Sequence, residues 1–408
     1  MVKSIFTHNR FLDGAAICFS VLLSCIGCGT AVNVIAPVTI SDPGEYHLLN
    51  DVTNCSTDCI VIAGSNIILE GGGHKISGTG YVPPSNSNPG GADPRPLAKG
   101  IRIGVTQPVS NVVIRNITVD NFGLGVYANR VNGGVIEGCE FSNGFIGTIF
   151  DYTTNLTIRD SQYTDNYEVG IDSEYYSQNC YFDDNRVYRN GIGVSLHESS
   201  GHQTVSNNTI TDNYYGICTW FPVDGMKSSQ NTIVNNFIEG NGVGIDGAKE
   251  YVIVNNYLNN TKNIDHVLFP NRWNTTPTAG VNVVKGPNLG GNYWAYPNGT
   301  GFSQVVADND HDGFSDAANI IAAQNTDYYP LHLINPIAIQ GGNDIPRDLD
   351  GDGQYEDVNG NGRKDFADIV LFFNQMTWIG ANEPLAAFDY NNNGRIDFAD
   401  VTWLFNNL

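Results

Sequence analysis

"VSNNTITDN" at 205–213, "IVNNFIEGN" at 233–241 and "IVNNYLNN" at 253–260 repeat one pattern: an apolar residue, an Asn-containing turn, then a short alternating apolar stretch. Four more stretches align with them: "IRNITVDN" from Ile114, "IEGCEFSN" from Ile136, "IRDSQYTDN" from Ile158 and "FDDNRVYRN" from Phe182. The seven starts lie 22, 22, 24, 23, 28 and 20 residues apart, a period that marks a solenoid. After each turn comes a second apolar stretch, such as "GLGV", "GIGV", "YYGI" or "GVGI". No unit carries enough helical periodicity for a helix-containing repeat, so stacked short parallel strands are expected. Ile114, Ile136, Ile158, Phe182, Val205, Ile233 and Ile253 then form one inward column. Asn185, Asn208, Asn236 and Asn256 fall in register at one turn, where stacked amides bond from coil to coil.

Composition agrees with a β-rich chain. The 408 residues include 46 Gly and only 15% charged residues, with a net charge of -22. That surface repels phosphate, which argues against nucleic acid and anionic membrane as partners. Lys3 and Arg10 precede the apolar run 15–29, and a small-residue site ends at Ala31, so 1–31 reads as a secretion signal. A retained anchor, or lipid attachment at Cys25, are its alternatives. Of the five cysteines beyond it, Cys55 and Cys59 are spaced to pair across a short loop in an oxidising exterior.

The coils resemble right-handed parallel β-helix proteins of the NosD-like group, named for periplasmic copper-binding accessory proteins. Val38–Gly78 is similar to that group's opening segment, and "GGNYWAYPNGTG" with "DYYPL" at 327–331 is similar to its close. The resemblance covers about residues 34–335 and implies a fold more than a function, because this architecture carries several enzyme and adhesin classes. Its copper association finds little support in three Met and eight scattered His.

The chain ends on a doubled motif. Asp357, Asn359, Asn361, Gly362, Asp365 and Asp368 stand at positions 1, 3, 5, 6, 9 and 12 of a loop, and Asp389, Asn391, Asn393, Gly394, Asp397 and Asp400 repeat that spacing. Oxygen ligands at that spacing, with glycine at the sharp turn, suit Ca²⁺. Each loop runs into an apolar segment, "FADIVLFF" or "FADVTWLF", patterned for an amphipathic helix. With no helix before either loop, the pair resembles a type I dockerin. That resemblance implies a cohesin-bearing partner, recognised through loop positions 10 and 11: Phe366 and Ala367, and Phe398 and Ala399. Asp348, Asp350, Asp352 and Glu356 offer a third calcium loop, and Asp308, Asp310, Asp312 and Asp316 a fourth. The expected organisation is a signal (1–31), a β-helix (32–335), a linker (336–347) and a dockerin-like module (348–408).

Aligning the second stretches on their inward apolar residue places Tyr127, Phe150, Asp172, Ser195, Cys218 and Asp246 in one outward column. Asn129, Tyr152, Glu174, His197, Trp220 and Ala248 form the next, since alternate strand residues share a face. Carboxylates among aromatics suit a sugar: rings stack on pyranose faces and carboxylates do acid/base work. Asp172 and Glu174 are the acid/base candidates, expected about 6.5–7 Å apart, and Phe150, Tyr152, His197 and Trp220 the substrate contacts. If the face is catalytic, hydrolysis fits better than elimination, because the face is poor in Arg and Lys. A non-catalytic adhesive surface and a copper-binding accessory protein are the other readings.

Overall fold

The computed structural model describes residues 31–82, 97–104, 107–197, 200–219, 230–267, 269–310, 312–333, 338–350 and 352–408. Residues 1–30 of the expected signal, with Cys25 among them, and Trp220 and His311 lie outside the described residues.

Among the described residues, three ten-stranded sheets run the length of a right-handed parallel β-helix, and every pairing within them is parallel. A coil takes one strand from each sheet in turn, as in Val109–Arg115, Thr118–Asp120 and Leu124–Asn129. The expected inward column exists. Ile114, Ile136, Ile158, Phe182, Val205, Ile233 and Ile253 pair in successive coils and are all essentially inaccessible. Fully burying a side chain of this size stabilises the fold by about 1.5–3 kcal/mol, so this column holds much of the stack together.

The paired asparagines divide two tasks. The first of each pair, Asn207, Asn235 or Asn255, turns the chain at positive φ, a conformation Asn tolerates. The second builds the ladder. Asn185, Asn208 and Asn236 each donate from Nδ2 to Oδ1 of the next coil's asparagine, and Asn256 continues to Asn292, at 2.9–3.0 Å. Each Nδ2 also reaches a main-chain carbonyl, as from Asn208 to Phe182 at 2.8 Å. A second ladder runs through Asn166, Asn190, Asn213, Asn241 and Asn260, the residues that close the repeated stretches. Two buried amide columns thus satisfy the turn backbone that a narrow solenoid would otherwise leave unpaired.

A glycine column sets the register of the sheet bearing the candidate site. A Cβ on Gly125, Gly147, Gly170, Gly193 or Gly216 would lie 2.3–2.7 Å from the carbonyl oxygen of the next coil's glycine, so no larger residue fits. At the C-terminal end, Asp327 of "DYYPL" is buried, accepting from Asn292 N, Trp294 Nε1 and Tyr329 N. Burial pushes its carboxyl up to about 6.

The C-terminal module has helices Phe366–Asn382, Leu385–Phe388 and Phe398–Asn406. Ile369, Phe372 and Ile379 pack with Val401, Leu404, Phe388 and Tyr390 in their own core. Among the described residues, no helix is long and apolar enough to cross a membrane.

Candidate functional site

One outward column reads Arg102, Tyr127, Ile149, Asp172, Ser195, Cys218, Asp246 and Asp265 in strict register. The expected column was one residue out in one coil. Ile149, not Phe150, stands between Tyr127 and Asp172; Phe150 pairs with Ala128 and Ser173 and lies wholly in the core against Phe182. A slip of one residue exchanges faces, so Phe150 is no substrate contact. Thr148 is the inward residue of that coil, its hydroxyl bonded to buried Tyr163 at 3.1 Å.

The same slip hid a carboxylate. Asp151 pairs with Asn129, and Glu174 N bonds Phe150 O while His197 N bonds Ser173 O, so Asn129, Asp151, Glu174 and His197 follow one another in the second column. Tyr152 instead leaves the strand at positive φ, exposed, and its ring stacks on Tyr176 at 5.6 Å. Tyr175 stacks on His197 at 6.2 Å. Sequence reasoning missed Asp151, Tyr175 and Tyr176; alignment on the glycine column would have found the first.

Asp151, Asp172 and Glu174 therefore stand together on neighbouring coils. Tyr127 Oη donates to Asp151 Oδ2 at 3.0 Å, while Asp151 Oδ1 and Asp172 Oδ1 are buried without a partner. Burial, then the charge of Glu174, raises the Asp172 carboxyl well above the usual range. Burial and the charge of Asp151 push Glu174 up to about 7, opposed by a hydrogen bond from Asp172. Burial raises Asp151 too, offset by Tyr127 and Asn129. His197 Nε2 lies 3.7 Å from Glu174 Oε1. Along the same sheet Phe145, Ile146, Val169, Ile192 and Cys218 form a buried apolar cluster with Ile149 packed against it. Dense acidic groups with raised pKa in a partly dry setting are suited to proton transfer near neutrality.

In the C-terminal module the two loops fold alike. Asp357 accepts from Asn361 N at 2.9 Å and Gly362 N at 2.6 Å; Asp389 accepts from Asn393 N at 3.0 Å and Gly394 N at 2.7 Å. Gly362 and Gly394 sit at φ +83° and +84°. Asp368 and Asp400, both buried, bond back to Asn359 N and Asn391 N, and Asp365 and Asp397 cap the following helices. Both side-chain polar atoms of Asn391 lack a partner. Phe366, Ala367, Phe398 and Ala399 are exposed at the two helix starts. In the 308–316 turn, Asp308, Asp310 and Asp316 converge, while Asp312 accepts the N–H of Phe314.

The family described as Periplasmic copper-binding protein (NosD) matches residues 85–299, more than half of the sequence. The chain belongs to the NosD family. Residues 355–408 of this NosD-family chain match the Dockerin type I domain, so a dockerin-type module follows the β-helix. Solved structures similar to it include the Azotobacter vinelandii mannuronan C-5 epimerase AlgE6 A-module (17% identity, 55% of this chain and 60% of that one, TM-score 0.41) and endopolygalacturonase I from Stereum purpureum (15%, 59% and 83%, TM-score 0.44). The chain spans about three fifths of the epimerase module. No curated protein sequence matches it.

Copper, which the family description names, finds a poor donor set here. Among the described residues, the cluster that mixes carboxylate and imidazole is Asp246, Asp265 and His266, with Cys218 Sγ 3.9 Å from Asp246. Two carboxylates and one imidazole are not the soft set that copper(I) selects, Lys262 Nζ already binds Asp265 at 2.7 Å, and burial pushes the Cys218 thiol up, away from thiolate.

Proposed function

We propose that this is a secreted, carbohydrate-active β-helix protein that binds and cleaves polysaccharide and is attached by its calcium-dependent dockerin-type module to a cohesin-bearing partner. The boundaries read from the sequence are kept, with the signal at 1–31, the β-helix at 32–335, the linker at 336–347 and the dockerin module at 348–408. The stacked group Asp151, Asp172 and Glu174 carries the catalytic reading. Glu174, protonated near neutrality, gives its proton to the glycosidic oxygen as the bond to the anomeric carbon breaks. A water adds its hydroxyl to that carbon and passes its proton to Asp151, which Tyr127 and Asn129 orient. Asp172 holds the Glu174 carboxyl through their hydrogen bond, His197 returns a proton to Glu174, and Tyr152, Tyr175 and Tyr176 present rings to the sugar faces.

Calcium at Asp357, Asn359, Asn361 and Asp368, and at Asp389, Asn391, Asn393 and Asp400, would lock the loops that start the two helices. Asp365 and Asp397 contribute as helix caps. The 308–316 turn would take a further ion through Asp308, Asp310 and Asp316. Phe366, Val370, Phe373, Phe398 and Phe405 leave apolar surface exposed along both helices, which suits docking on a partner.

One observation favours a second reading: Asp172 is only 3% exposed. A proton shared between Asp172 and Glu174 as a structural element would make this a non-catalytic glycan-binding face. A glycan screen scoring binding and new reducing ends, run on the signal-free protein and on Asp172→Asn, Glu174→Gln, separates the two. Cleavage lost in the variant supports hydrolysis; binding without cleavage in both supports the adhesive reading.

A further inference from the structure

Residues 348–350 and 352–356 are drawn together at a neck, where Arg347 N donates to Asp357 O at 3.0 Å and Asp357 N to Arg347 O at 3.3 Å. Asp348 accepts the N–H of Gly353 at 2.9 Å, and Asp352 accepts that of Gln354 at 2.8 Å. These bonds wrap the backbone around a group of carboxylates: one oxygen each from Asp348, Asp350 and Glu356 lies within 4.8 Å of the others. Two of these are ordinary acidic turn residues. Glu356 is different, being 1% exposed with neither carboxylate oxygen hydrogen-bonded to another residue.

A buried carboxylate without a donor is costly, and proteins resolve it with a proton, a cationic side chain or a metal ion. Lys285 packs its stem against Gly353, and three other side-chain donors of the surroundings are placed elsewhere. Tyr390 Oη donates to the Tyr355 carbonyl at 2.7 Å, Lys364 Nζ sits over the Trp403 ring at 5.5 Å, and Arg347 is paired with Asp344 at 2.9 Å. Three or more hard oxygens converging on a turn that closes at glycine form the donor set of Ca²⁺. We propose that this loop holds a third calcium ion in the C-terminal module, ligated by Asp348 and Asp350 at the rim and by Glu356 from the buried side. The proposal rests on the calcium reading of that module and adds a site outside the duplicated loops.

Its position gives the ion a purpose. Glu356 immediately precedes Asp357, the first ligand position of the first duplicated loop, and Gln354 Nε2 donates to the Asp389 carbonyl at 3.0 Å, at the start of the second. Filling the third site fixes the approach to both loops, so it acts as the brace on which the paired sites are assembled.

The test counts calcium on the signal-free full chain by native mass spectrometry and equilibrium dialysis, for wild type, Glu356→Gln and Asp357→Asn, Asp389→Asn. The expected result is one ion fewer in Glu356→Gln, with a crossing of stabilities. At pH 8 in chelator the variant melts above wild type, because a buried unpaired charge is gone; in millimolar calcium it melts below. Equal stoichiometry in Glu356→Gln and wild type, with the variant at or above wild type in both conditions, overturns the proposal. Calcium lost only from the double loop variant also overturns it while keeping the two-loop reading. Calcium lost only from Glu356→Gln keeps the third site and removes the loop reading.

Discussion

Replacing Asn208 with alanine probes what holds the coils in register. Its Nδ2 donates to the carbonyls of Phe182 and Ser206 and to Asn236 Oδ1, and its Oδ1 accepts from both N and Nδ2 of Asn185. Alanine keeps the bond from the main-chain N–H of residue 208 to Asn236 Oδ1 and leaves Ser206 O its bond from Asp184 N, but it takes the partner from the Asn185 N–H, from one Asn185 amide hydrogen and from the Phe182 carbonyl contact, in a position only 1% exposed. At about 1–3 kcal/mol per stranded buried group, reduced where a water enters the gap, the loss should be about 3–6 kcal/mol. The damage should be local, because each coil of a solenoid rests mainly on its two neighbours. Denaturant unfolding gives the total, and hydrogen exchange locates it: amides of 182–239 should lose protection well before those of 60–140. A loss under 1 kcal/mol, or protection lost uniformly along the chain, would show that the amide ladder does not carry the stack.

Further expectations follow from the same geometry. The Glu174 carboxyl, raised to about 7 by burial and by Asp151, contributes stability that is complete below about pH 4.5 and is lost as pH rises through 7, on the order of 3 kcal/mol; Glu174→Gln should remove that slope in denaturant midpoints measured at fixed calcium. Cys55 and Cys59 sulfurs lie 2.6 Å apart and buried, so protein secreted into an oxidising medium should lose 2 Da relative to its reduced form, a loss that Cys55→Ser abolishes. Because the two helix starts present the same Phe-Ala pair, Phe366→Asp or Phe398→Asp alone should leave binding to a matching cohesin measurable by calorimetry, and only the double variant should abolish it.

Where local pattern determined the structure, the sequence could be read directly. The apolar column and the asparagine turn depend on single-residue periodicity, and the duplicated C-terminal loops on residue spacing within twelve positions. The misreading at Phe150 has a specific cause. In "FIGTIFD" the inward residue is Thr148, a polar side chain made tolerable by its bond to Tyr163, so an alignment keyed to apolar character passes over it to Ile149. That one step moved Phe150 to the surface and concealed Asp151. Glu356 was legible as an acidic residue but not as a buried one, because its burial is set by the tertiary packing of the module and not by local spacing.

The central claim is that the Asp151, Asp172 and Glu174 group cleaves glycosidic bonds, and its most direct test is the release of new reducing ends from a polysaccharide panel by wild type and Asp151→Asn. The account predicts release by wild type at near-neutral pH and its loss by at least a hundredfold in the variant, with glycan binding retained. Cleavage undiminished in Asp151→Asn, or no cleavage of any glycan that the wild type binds, would contradict it.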